Sequence, residues 1–136
     1  MAVGRGWIKE RVAPWILPGS FDELVAAPRQ TFARFDQQEG VIRASLHSSA
    51  GRAMRIAAVP ARREAFRAAV REATRGATAA DRRRLDAIAH VLYSAAAWEA
   101  FRDYAGLSGD EAGEVASWAL ATLAEAVRRN APPEAP

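Results

Sequence analysis

The chain has no cysteine. That excludes disulfides, thiolate metal sites and a cysteine nucleophile, and it fits a reducing compartment. Histidine is scarce too, with only His47 and His90, which is a poor basis for a metal site. No serine sits in a glycine-flanked nucleophile elbow, and Gly4 and Gly6 open no strand–helix phosphate loop. No enzyme activity, metal or cofactor is expected. Long hydrophobic runs are missing as well. The longest charge-free stretches, Ala87 to Trp98 and Val115 to Ala124, fall well short of the ~20 residues of a membrane helix. Charges and Pro14 interrupt Met1 to Ile16, so no secretory signal is expected. These absences imply a soluble, cytoplasmic protein.

What is present suits one helical domain. The 136 residues are 50% apolar, but much of that is alanine, which favours helix and buries little area. Charge is segregated along the chain. Residues 43–84 carry eleven arginines against Glu64, Glu72 and Asp81, and residues 85–136 carry three basic against eight acidic groups. Glycine and proline punctuate residues 1–19, which read as an N-terminal arm whose Trp7, Trp15, Ile16 and Leu17 dock in part on the body.

Ser20-Phe21-Asp22-Glu23 forms a capping box, and a helix is predicted from it to Glu39, kinked or broken at Pro28. Further helices are predicted over Val41–Ile56, Ala61–Arg75 after Pro60, and Ala80–Ala105 with Gly106 as its cap. A second box, Ser108-Gly109-Asp110-Glu111, opens the last helix, which runs to Arg129. No alternating strand pattern is seen, and residues 131–136 read as a disordered tail. The expected fold is all-α, a bundle of about five helices.

The last two predicted helices carry the strongest inference. An ordinary surface helix has one apolar stripe and one charged face. Here twelve and ten consecutive residues, roughly three turns each, bear no charge on any side. Burial on two faces follows, one against the domain's own core and one against a second copy. Two helices from each of two copies then make an intersubunit four-helix bundle. The expected contact residues are Ala96, Trp98, Trp118, Ala119 and Leu123. The alternative is a monomer with a tolerated alanine-rich surface.

The segment from Leu85 to Tyr104, with its small-residue run Ser94-Ala95-Ala96-Ala97 before Trp98, resembles the penultimate helix of TetR-family transcriptional regulators. Gly106-Leu107-Ser108-Gly109-Asp110-Glu111-Ala112 is similar to that family's following link, and Ser117-Trp118-Ala119-Leu120 to the start of its last helix. Upstream, Thr31 to Asp36 and Val41 to Ala44 resemble the start of the same domain. The resemblance covers residues 21–129 and implies an effector-binding and dimerisation domain, here assigned to residues 20–130. It implies a homodimer, a small apolar effector, and no direct DNA binding, because nothing between Met1 and Ser20 supplies the family's helix-turn-helix. A truncated regulator of this kind is further expected to form mixed dimers with a full-length one.

An effector pocket would lie between helices, lined by apolar groups with a few polar ones. Phe35, His47, Met54, Phe66, His90, Tyr93 and Ser94 are the candidates, set against the plainer reading of each as a packing residue. The competing function is a basic helical module binding nucleic acid through the arginine-rich middle, or a stand-alone protein-interaction module. Phe66 is the one aromatic residue among those arginines, too little interleaving to stack single-stranded bases.

Overall fold

The computed structural model describes residues 17–131. The expected docking of Trp7, Trp15 and Ile16 and the tail beyond Ala131 lie outside them, while Leu17 is exposed. The described residues form six helices and no strand. These are α1 Phe21–Gln37, α2 Glu39–Leu46, α3 Ser49–Ala73, α4 Ala79–Leu92, α5 Ala95–Asp103 and α6 Gly109–Arg129. None is long and apolar enough to cross a membrane.

Polar caps set most of the boundaries. Ser20, Ser48, Thr78, Ser94 and Ser108 each accept the amide of the residue three places on, which satisfies an orphan donor of the first turn. The Ser108 box is complete, with Glu111 returning to the Ser108 amide. Glu23 reaches one residue further back and takes the Gly19 amide instead. Gly76 and Gly106 adopt the left-handed conformation after α3 and α5, which their missing Cβ permits.

Three expected boundaries are corrected. Pro28 lies inside an uninterrupted α1, where it is buried against α6. Pro60 likewise lies inside α3, and the break expected there falls at His47–Ser48. Ser48 supplies the cap that Pro60 lacks, and Gly51 brings the start of α3 against the Ser45 carbonyl. The single helix expected over 80–105 divides into α4 and α5 at Tyr93–Ser94.

Arginines from elsewhere take the carbonyls left open at these ends. Arg55 donates to Ser45 O and Leu46 O at the end of α2, and Arg62 to His90 O and Tyr93 O at the end of α4. Arg82 and Arg128 donate to Thr74 O and Ala73 O at the end of α3. Part of the basic middle therefore serves helix termination.

The core gathers α1 and α6 with α3, α4 and α5 around Leu24, Phe32, Phe66, Leu85, Tyr93, Trp98 and Leu120, all buried. Helices α1 and α6 run antiparallel and very close. A Cβ on Gly109 would meet Phe32 O at 2.3 Å, and one on Gly113 would meet Arg29 Cα at 2.7 Å. Asp36, at the end of α1, ties three segments together. Its carboxylate accepts from Gly109 N at 2.7 Å, Trp98 Nε1 at 2.9 Å and Arg102 Nη1 at 2.7 Å.

Candidate functional site

Arg62 and Phe66 sit about one turn apart on α3, which presents both to the end of α4. The Phe66 ring stacks on the His90 imidazole with centroids 4.3 Å apart, and it lies 6.1 Å from the nearly parallel Tyr93 ring. Tyr93 Oη reaches Thr31 Oγ1 at 3.2 Å, which joins α1 to the cluster. The Arg62 guanidinium covers the Phe66 face at 4.4 Å, and its Nε donates to His90 Nδ1 at 3.3 Å. That bond assigns the neutral imidazole proton to Nε2. Nε2 faces Asp86 Oδ1 at 3.7 Å, beyond hydrogen-bond reach, and neither atom has a hydrogen-bond partner.

Burial draws the Arg62 guanidinium below its ordinary value. Burial also holds the His90 imidazole down, with the Arg62 charge adding to it and Asp86 partly opposing. The unfolded chain therefore binds more protons than the folded one between the depressed value and the ordinary 6.5. Stability from this group is full above 6.5 and falls as pH drops through that range. The thermal midpoint should decline on acidification from about pH 7.5 to about pH 5.5, and His90→Gln should flatten that decline. An equal pH dependence in wild type and variant would refute the assignment to His90.

The fold brings together four of the expected pocket residues: Phe66, His90, Tyr93 and Ser94. Ser94 is the α5 cap, and its hydroxyl donates to Val91 O at 2.6 Å. Phe35 belongs to a different cluster, edge-on to Trp98 with centroids 5.7 Å apart. Met54 is half-buried on the first half of α3. His47 lies far out, its ring nitrogen 2.9 Å from Glu99 Oε1. Glu99 also meets Arg43, which grips Asp103 through two bonds of 2.8 and 2.9 Å. Those bonds hold the Asp103 carboxyl below the usual carboxylate range and raise the Arg43 guanidinium. Phe35, Phe66 and Tyr93 fill the core by packing on other rings. The open grooves run elsewhere, one along the outer side of α1 by Asp22 and Ala26, the other beside Arg43 and Arg102.

Comparison of the chain with protein-family models, curated proteins and solved structures returns no match. Function therefore has to be read from the molecule's own surfaces and sites.

The expected interface residues divide in two. Trp98 is wholly buried inside one copy, where its indole donates to Asp36, so it adds no surface to a contact between copies. The core takes Trp98 because α5 turns away from α4 and lays that side chain over Phe35. Trp118 is 65% exposed, Leu123 and Ala96 are exposed, and Ala119 is half-buried. Val115, Trp118, Ala119, Thr122 and Leu123 follow i, i+3, i+4, i+7, i+8 spacing, which makes an outer stripe along α6. The inner stripe, Ala112, Ala116, Leu120 and Ala124, is fully buried. On α4, which packs against α6, Ala87, Ile88 and Val91 form a second exposed apolar stripe.

Sequence reasoning missed Arg62, Asp86 and Asp36. Arg62 stands among arginines that do face solvent, such as Arg63 and Arg67, and nothing local sets it apart. The partners of Asp36 lie 62 to 73 positions away, so their pairing leaves no periodic signal.

Proposed function

We propose that the chain is a TetR-like effector-binding and dimerisation domain, which works as a homodimer and answers to a small apolar ligand. One observation carries the reading: α6 bears two apolar stripes, and only the inner one is buried within a single copy. The outer face exposes Val115, Trp118 and Leu123, and the adjoining α4 exposes Ile88 and Val91. Exposed apolar patches of this kind mark contact surfaces, and a large aromatic at the centre is a usual anchor. Two copies joined through α4 and α6 would bury these stripes in a four-helix bundle. The resemblance of residues 85–120 to the family's last two helices supports the same arrangement.

Effector action in such a domain is a population shift, in which the ligand favours one helix arrangement by its differential affinity. Phe66, His90 and Tyr93 supply apolar surface with polar edges where α1, α3 and α4 meet, and opening that contact would create the cavity. Solution mass by light scattering tests the assembly. Wild type should run as a dimer, and Trp118→Glu should shift it to monomer with helicity intact. A wild-type monomer at ~0.1 mM would remove the proposal, because a bundle that size should associate more tightly.

A further inference from the structure

Residues 80–105 have the pattern of one continuous helix, and no glycine or proline lies between Gly76 and Gly106. The fold nevertheless interrupts it between Leu92 and Ala95, immediately before three alanines, the best helix formers. Tertiary contacts impose this break. In an unbroken helix His90 O would accept the Ser94 amide, and Tyr93 O the Ala97 amide. In the fold both carbonyls accept from the Arg62 guanidinium, with His90 O at 3.2 Å. The Ala97 amide turns to Ser94 Oγ at 3.1 Å, and the Ser94 hydroxyl donates to Val91 O at 2.6 Å.

We infer that residues 79–103 form a two-state joint, broken while Arg62 holds the His90 and Tyr93 carbonyls and continuous when Arg62 leaves them. Both carbonyls keep a donor in the exchange. Two guanidinium donors are replaced by the backbone amides of Ser94 and Ala97, and the guanidinium and the Ser94 hydroxyl return to water. Arg62 reaches its place by crossing the Phe66 face at 4.4 Å and passing His90 Nδ1 at 3.3 Å. Anything that separates α3 from α4 at Phe66 and His90 therefore also withdraws the donor. Straightening swings α5, with Trp98 and Arg102, away from Asp36. Because α4 also carries Ile88 and Val91, the joint would transmit a change at Arg62 to self-association. That last step rests on the dimer proposed above; the joint itself does not.

Amide hydrogen exchange, read by NMR on the full chain, tests it. Arg62→Met keeps the stem over Phe66 and removes the donors, and Ser94→Ala removes the competing cap. In wild type the residue-94 amide should exchange fast, since it makes no helical bond. In the double variant it should slow by roughly ten-fold or more, with a rise in helical circular dichroism. A folded double variant whose residue-94 amide stays fast overturns the joint. So does loss of cooperative unfolding in both Arg62→Met and the milder Arg62→Lys, because Arg62 would then be a fixed strut. An unchanged association constant in a straightened variant overturns the coupling. A wild-type monomer would remove the dimer reading and leave the exchange test of the joint intact.

Discussion

Asp36→Ala should lower stability by roughly 3 kcal/mol, the scale for breaking a largely buried charge pair after allowing for partial exposure. The Asp36 side chain is 28% exposed and that of Arg102 is 24% exposed, so water screens the loss only in part. Three donors lose their acceptor together: the Gly109 amide at the start of α6, the Trp98 indole and the Arg102 guanidinium. Glu39, 3.5 Å from Arg102, is the nearest replacement for one of them. The thermal midpoint should fall by roughly 10–20 °C for a domain of this size. Asp36→Asn, which keeps an acceptor oxygen but loses the charge, should fall about half as far. Denaturant unfolding measures both, and a loss under about 1 kcal/mol for alanine would show that the clasp adds little.

Gly113→Val should be at least as damaging. A Cβ there lies 2.7 Å from Arg29 Cα and 2.8 Å from Pro28 O, and both are backbone atoms that no rotamer change can move. Overpacking of a tight interior contact costs roughly 1–3 kcal/mol and more when backbone must shift, which here means parting α1 from α6. The gain in helix propensity on losing glycine, up to about 1 kcal/mol, offsets only a fraction. Gly40 is the matching control. It is helical, and a Cβ there meets nothing within 4 Å, so Gly40→Ala should stabilise by up to about 1 kcal/mol. If Gly113→Val unfolds at the wild-type denaturant midpoint, the close α1–α6 approach is not what holds the bundle.

Local chemistry made much of this fold legible. The Ser108 box, the Gly106 turn and the end of α6 follow from residues within one helical turn of each boundary. The double apolar character of α6 was legible from ten residues without charge, and the fold places Trp118 and Leu123 outside as that pattern requires. Pro28 and Pro60 look like breaks because a proline deletes one amide. At Pro28 packing against α6 outweighs that loss, whereas Pro60 is exposed and no packing contact explains the helix that runs through it. The division at Tyr93–Ser94 is the reverse case, where local propensity favours helix and a guanidinium about thirty positions upstream interrupts it. Of the candidate site, His90 and Tyr93 were visible as polar or aromatic breaks in an apolar run, and Phe66 as an aromatic on the apolar face of its helix. Arg62 was not, because a buried arginine and a solvated one look alike in a row of arginines.

The two glycine notches on α6 act as a rotational key. Each residue of a helix turns it by about 100°, so a slip of one position would bring a side chain into the space that Gly109 and Gly113 leave empty. Only one phase of α6 fits against α1. The direction in which Val115 and Trp118 point is therefore fixed from the far side of the helix, by two side chains that are not there.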